Sequence, residues 1–148
     1  MPRPLEYDNL ININAFAEKP ATPGALEAYL RNAQSYLAAA KLLDPAVAAM
    51  PVFSTAYEGF FQLVQAVFEF YEVRTKDSGR NLAIQRVCKD LGMNTAEQAL
   101  VAKAHERRND TSYRSPFPPV SKAEAQSLVA ILDKYVPVAY KLVNVPYP

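Results

Sequence analysis

The sequence predicts an all-α fold: an up-and-down helical bundle of four to five helices behind an extended N-terminal arm. Three observations point there. Apolar residues recur at three- and four-residue spacing over most of the 148-residue chain. Helix start and stop signals punctuate those runs. Strand-like alternation is confined to a short stretch around residues 9–13.

Residues 1–21 are expected to form the arm, with residues 22–148 as the helical domain. Prolines at 2, 4 and 20 and the alternation of Leu10-Ile11-Asn12-Ile13-Asn14 suit an extended segment lying on a neighbouring surface. The first helix is expected over 23–43. Thr22 is a suitable N-cap and Pro23 suits the first helical position. Leu26, Leu30, Ala33, Leu37 and Ala40 fall on one face, and Asp44-Pro45 ends the pattern.

A second, longer helix is expected over 51–74. Phe53, Tyr57, Phe60, Phe61, Val64, Val67, Phe68 and Tyr71 make about half of its circumference apolar, at roughly 100° per residue. A helix so broadly apolar belongs at the centre of a bundle or at a seam between two copies. Glu58, Glu69 and Glu72 read as its solvated stripe. Gly59 in its interior costs about 1 kcal/mol relative to alanine, a cost that close helix packing would explain.

Thr75-Lys76-Asp77-Ser78-Gly79 reads as a loop. A third helix is expected over 80–91, stopped by Gly92. Thr95-Ala96-Glu97-Gln98 reads as a capping box opening a fourth helix over 96–109. After the Pro-rich loop at 115–119, Ser121-Lys122-Ala123-Glu124 reads as a second capping box. It starts a last helix that Pro137 should kink.

Composition narrows the function classes. Half of the residues are hydrophobic, ample for one core; a chain this long buries roughly 70% of its unfolded surface. A net charge of +1 argues against a strongly basic nucleic-acid scaffold but leaves room for a local patch. Cys88 is the single cysteine, so no internal disulfide forms. A cytoplasmic location is the default expectation, and no apolar run is long enough for a membrane span. There is no Glu-x-x-His, His-Glu-x-x-His or P-loop, so neither a metal nor a cofactor is expected.

The residues that carry chemistry cluster near the end of the fourth helix: Lys103, His105, Arg107, Arg108, Asn109, Ser112, Tyr113 and Arg114. Guanidinium groups match phosphate bidentately. Asn109, Ser112 and Tyr113 add uncharged donors, and a tyrosine ring can stack a base. His105 lies three residues before Arg108, on the same helix face. The plainer reading is that cations in a last turn complement the helix dipole, that Tyr113 packs its ring, and that Cys88 is a buried, inert thiol.

The central helix Phe53-Ser54-Thr55-Ala56-Tyr57-Glu58-Gly59-Phe60-Phe61 and the later Arg108-Asn109-Asp110-Thr111-Ser112-Tyr113, followed by a Pro-rich loop and Ser-x-x-Glu, resemble the HEPN family of helical bundles. The resemblance covers roughly residues 24–143. It implies a homodimer, a possible nucleotidyltransferase-type antitoxin as partner, and an RNA-linked or toxin–antitoxin setting. In the family's nucleases an Arg-polar pair is followed, four to six residues after the Arg, by a His, and the Arg and His are thought to cleave RNA without metal. Arg108 and Asn109 match the start; Tyr113 stands where that His would be. The resemblance therefore implies a branch without nuclease activity, with metal-independent cleavage by Arg108 and either His105 or Tyr113 as the alternative. A purely structural protein-interaction module is the third reading.

Overall fold

The computed structural model describes residues 3–76 and 79–148. The loop expected over 75–79 is shorter, because Val73–Thr75 forms a strand where the helix is expected to run on to 74; Asp77 and Ser78, like Met1 and Pro2, lie outside the described residues. Among the described residues, six helices and one two-stranded ribbon follow in the order α1 (Leu5–Asn12), β1 (Phe16–Glu18), α2 (Ala25–Leu42), α3 (Ala49–Tyr71), β2 (Val73–Thr75), α4 (Arg80–Asp90), α5 (Thr95–Tyr113) and α6 (Lys122–Leu142). The fold is an all-α helical bundle, as the periodicity predicts.

α3 forms the axis. Fourteen of its 23 residues are buried, so it faces neighbours on nearly every side. It packs most extensively on α2 and then on α6, while α4 and α5 cover its remaining flank. The aromatic side read as a possible seam between two copies is consumed inside this core, where Phe53, Phe60 and Phe68 are among the largest fully buried side chains. Gly59 explains how the helices come so close. A Cβ at this position would stand 2.8 Å from Leu132 Cδ2 and 2.8 Å from Tyr36 Cβ.

The N-terminal segment is more ordered than an extended arm. α1 buries Tyr7 completely, and its hydroxyl donates to the Asp90 carboxylate at 2.6 Å. The Tyr7, Phe16 and Phe68 rings pack together with centroids 5.0–6.1 Å apart. β1 pairs antiparallel with β2, Phe16 opposite Thr75 and Glu18 opposite Val73. The short alternation noticed in the sequence lies in and just after α1, whereas the true strand is the adjacent Phe16–Glu18. An eight-residue helix with no side-chain cap has too few turns to announce itself by period alone.

Other expectations shift by a turn or less. α2 starts after Gly24, which adopts the left-handed region at φ 81°, rather than at Thr22. Asn94, not Thr95, caps α5, forming a reciprocal capping box with Glu97. The Ser121–Glu124 box opens α6 as read, and Gly92 follows α4 at φ 76°. α6 continues through Pro137. Glu69 departs most from expectation: it is 7% exposed, held by Lys19 Nζ at 3.0 Å and by the Thr22 backbone N–H. It locks the end of the N-terminal segment onto α3.

Among the described residues no helix is long and apolar enough to cross a membrane. Cys88 is buried, and burial pushes its thiol up to about 12, which leaves it protonated and inert.

Gly59→Ala is expected to lower stability by up to about 2 kcal/mol, an overpacking cost of about 1–3 kcal/mol less the roughly 1 kcal/mol helix-propensity gain of alanine. Urea denaturation measures it. A midpoint equal to or above wild type would mean that α2 and α6 yield to a methyl group without strain.

Candidate functional site

α5 runs four residues further than expected and carries the whole Arg-Asn segment inside it, up to Tyr113. Arg108 and Asn109 therefore stand on the helix body, not in its last turn. Only Val101 and Ala104 of α5 are buried; its polar side chains do much of the work of attaching it.

His105 and Arg108 share the face that meets α3. The Tyr57 hydroxyl and His105 Nδ1 are 2.6 Å apart, and His105 Nε2 lies 3.2 Å from the Asn109 side-chain amide. A neutral ring satisfies both contacts in either tautomer, provided the Asn109 amide turns its oxygen or its nitrogen to match. Burial, then the Arg80 and Arg108 guanidiniums, hold the His105 pKa below its ordinary value of 6.5. Burial raises the Tyr57 pKa, so near neutral pH the pair is uncharged.

Arg108 donates to Glu58 Oε1 at 3.2 Å, and its guanidinium lies 5.1 Å from the Tyr57 ring centroid and 5.5 Å from that of Tyr113. Arg80, from the start of α4, shares the same Glu58 oxygen at 3.4 Å and stacks 3.9 Å over the Phe61 ring. Two guanidiniums thus converge on one carboxylate. Arg108 is a partly covered rim residue, with 21% of its side chain exposed. Beyond it Tyr113 is 73% exposed, its ring open to solvent apart from the guanidinium.

The remaining cations do not form one patch. Arg107 points to the other side of α5 and grips Glu124 with two bonds of 2.7 and 3.2 Å, also donating to the Pro118 carbonyl. That ion pair holds the Glu124 carboxyl down at about 2. Arg114 pairs with Asp110 at 3.0 Å one turn earlier, and Ser112 is exposed. Lys103 is exposed and has no carboxylate partner among the described residues. An open groove of about 640 Å³ between α4 and α5 is lined by Asn81, Gln85, Lys103, His105, Asn109 and Arg114, among others. No cluster of three or more potential metal ligands occurs among the described residues.

Sequence reasoning missed Tyr57, Glu58 and Arg80. One signal was present for Arg80: a cation in the first turn of a helix opposes the dipole, which calls for a tertiary partner. The polar stripe that carries Glu58 predicts a solvated side chain, yet Arg80 of α4 and Arg108 of α5 fold over it.

No family model matches this chain, and no curated protein matches it.

The single histidine allows a direct titration. By NMR its pKa is expected below 6.5, and Arg108→Ala, which removes one of the two neighbouring cations, should raise it. A group whose folded pKa is depressed binds fewer protons folded than unfolded between the two values. Stability should therefore fall as pH drops from 6.5 through the folded pKa of His105, and His105→Gln should remove that component of the slope. A wild-type titration at or above 6.5 would show that the ring is not enclosed as described.

Proposed function

We propose that this chain is a HEPN-like helical module that works by contact and not by catalysis, the rim formed by Arg108, Asn109 and Tyr113 engaging single-stranded RNA. The observation that carries this reading is the exposed Tyr113 ring stacked on a guanidinium held from behind by Glu58. A preoriented cation beside an open aromatic face suits a phosphate and its adjoining base. The fold, an all-α bundle with an Arg-polar pair on its penultimate helix, supports the family reading. With it come a homodimer, a nucleotidyltransferase-type antitoxin as partner, and a cytoplasmic, toxin–antitoxin setting. Because the α3 side is consumed in the core, a second copy would dock through another surface.

Two features weigh against catalysis. A tyrosine occupies the position of the family's histidine and does not cycle protons readily near neutral pH. His105, the substitute, has both ring nitrogens engaged. The second reading, metal-independent cleavage by Arg108 with His105 or Tyr113, draws on one observation: His105 is neutral near pH 7, the state a general base needs.

Labelled single-stranded RNA, titrated in EDTA, separates the readings. The contact reading expects intact RNA and binding that weakens as salt rises. Tyr113→Ala should cost about 1–3 kcal/mol of binding, as loss of one stacked base does, and Arg108→Ala should both weaken binding and flatten its salt dependence. Absence of binding at low salt would leave only the structural-module reading. Cleavage that survives EDTA and disappears in Arg108→Ala and His105→Ala would establish the second.

A further inference from the structure

On the opposite flank of α5 lies a second groove, of about 420 Å³, between α5 and α6. Its floor is apolar: Phe53 from α3, Leu100 and Ala104 from α5, and Leu128 from α6. Its walls are built from the small residues Ala96, Ala99, Ala123 and Ser127. Those side chains are too short to close the space between the two helices, so the cleft is a direct result of their size. Its volume falls within the range of small-molecule sites, which are mostly apolar with a few placed polar groups.

Lys103 and Arg107, one helical turn apart on α5, both line this cleft, with Glu124 facing them from α6. Arg107 is fixed in place. Its Nε and Nη2 are held by Glu124, which in turn is held by the Ser121 capping box. Nη1 of Arg107 has no partner among the described residues, and neither does the Lys103 ammonium. Two cations and one carboxylate thus line the cleft beside an apolar floor; Asp110, the other carboxylate near Arg107, lies outside the lining and is paired with Arg114, which leaves room for one more negative charge.

The geometry points to a binding site for an anionic amphiphile: an alkyl chain of medium length lying over Leu100, Leu128 and Phe53, its carboxylate head placed between Lys103 and Arg107. Charge complementarity selects the sign of the head group, and the apolar floor selects the tail. A bare phosphate would leave the floor uncovered; an uncharged alkane would leave both cations without a partner. The inference stands apart from RNA contact at the Arg108, Asn109 and Tyr113 rim: Ala99 and Lys103 border the grooves on both sides of α5, but Arg107 and the apolar floor belong to this one.

The test uses decanoate below its micelle-forming concentration, with decanol and decyltrimethylammonium as matched controls, followed by isothermal titration calorimetry on the full chain. Decanoate should bind; decanol should bind at least about tenfold more weakly, the worth of roughly 1.4 kcal/mol; the ammonium should not bind. Ala99→Phe, which fills the cleft from an exposed position, should abolish decanoate binding. Lys103→Glu should weaken decanoate about tenfold or more and leave decanol unchanged. Lys103 is exposed and makes no ion pair, so this second variant serves even where the first disturbs packing. No decanoate binding by wild type would overturn the proposal. So would equal affinity for all three probes, or decanoate binding unchanged in both variants, which would indicate an adventitious additive only.

Discussion

Everything near the candidate site depends on one turn of α3, Tyr57-Glu58-Gly59. Gly59 lets α2 and α6 approach until Tyr36 Cβ and Leu132 Cδ2 leave no room for a methyl group. That closeness fixes the central helix in rotation as well as position. The two preceding residues, about 100° apart on the helix, then face the opposite flank, where Tyr57 meets His105 and Glu58 meets Arg80 and Arg108. The packing constraint and the polar site are therefore parts of one device. A rotation of α3 that eased the contact at Gly59 would also carry Glu58 away from its two guanidiniums.

How much of this the sequence disclosed follows from range. Long amphipathic runs were plain: α2, α3 and α6 each repeat a 3.6-residue pattern over 18 residues or more, and Ser121–Glu124 and Gly92 carry local chemistry that needs no tertiary context. α1 was not plain. It has two turns, and Tyr7 is held by Asp90, 83 residues away. Glu69 departs from its expected exposure for the same reason. Its position on a polar stripe is local information; the Lys19 and Thr22 groups that bury it come from a segment 47–50 residues earlier. Of the site, Arg108, His105 and Tyr113 were legible as a cluster because one helix carries them. Glu58, Tyr57 and Arg80 come from two other helices and were not.

Charge pairing alters the meaning of the basic cluster. Arg107, Arg108 and Arg114 each hold a carboxylate, so three of the cations counted as a surface patch are partly neutralised within the fold. Coulomb energy between such groups is weakened by solvent, and the shared Glu58 is a compromise, one anion serving two cations. An incoming phosphate could compete with Glu58 for Arg108 while Arg80 keeps the carboxylate in place. That arrangement favours exchangeable contact over permanent anion capture, and it fits a net charge near zero.

α5 shows why these cations are where they are. With two buried residues in 19, its hydrophobic attachment is slight compared with that of α3. Polar clamps supply what apolar area does not. At its start Glu97 completes the capping box with Asn94 and accepts from Lys134 and Tyr135; in its second half His105, Arg107 and Arg108 reach α3 and α6. Helix attachment and the proposed ligand contacts thus draw on the same guanidiniums, and a ligand that withdrew Arg108 or Arg107 from its carboxylate would also loosen α5. The two open grooves on either side of this helix are the geometric counterpart of that weak packing: where small and polar residues stand in place of a filled interface, space remains, and the side chains that bridge it are the ones left able to meet something else.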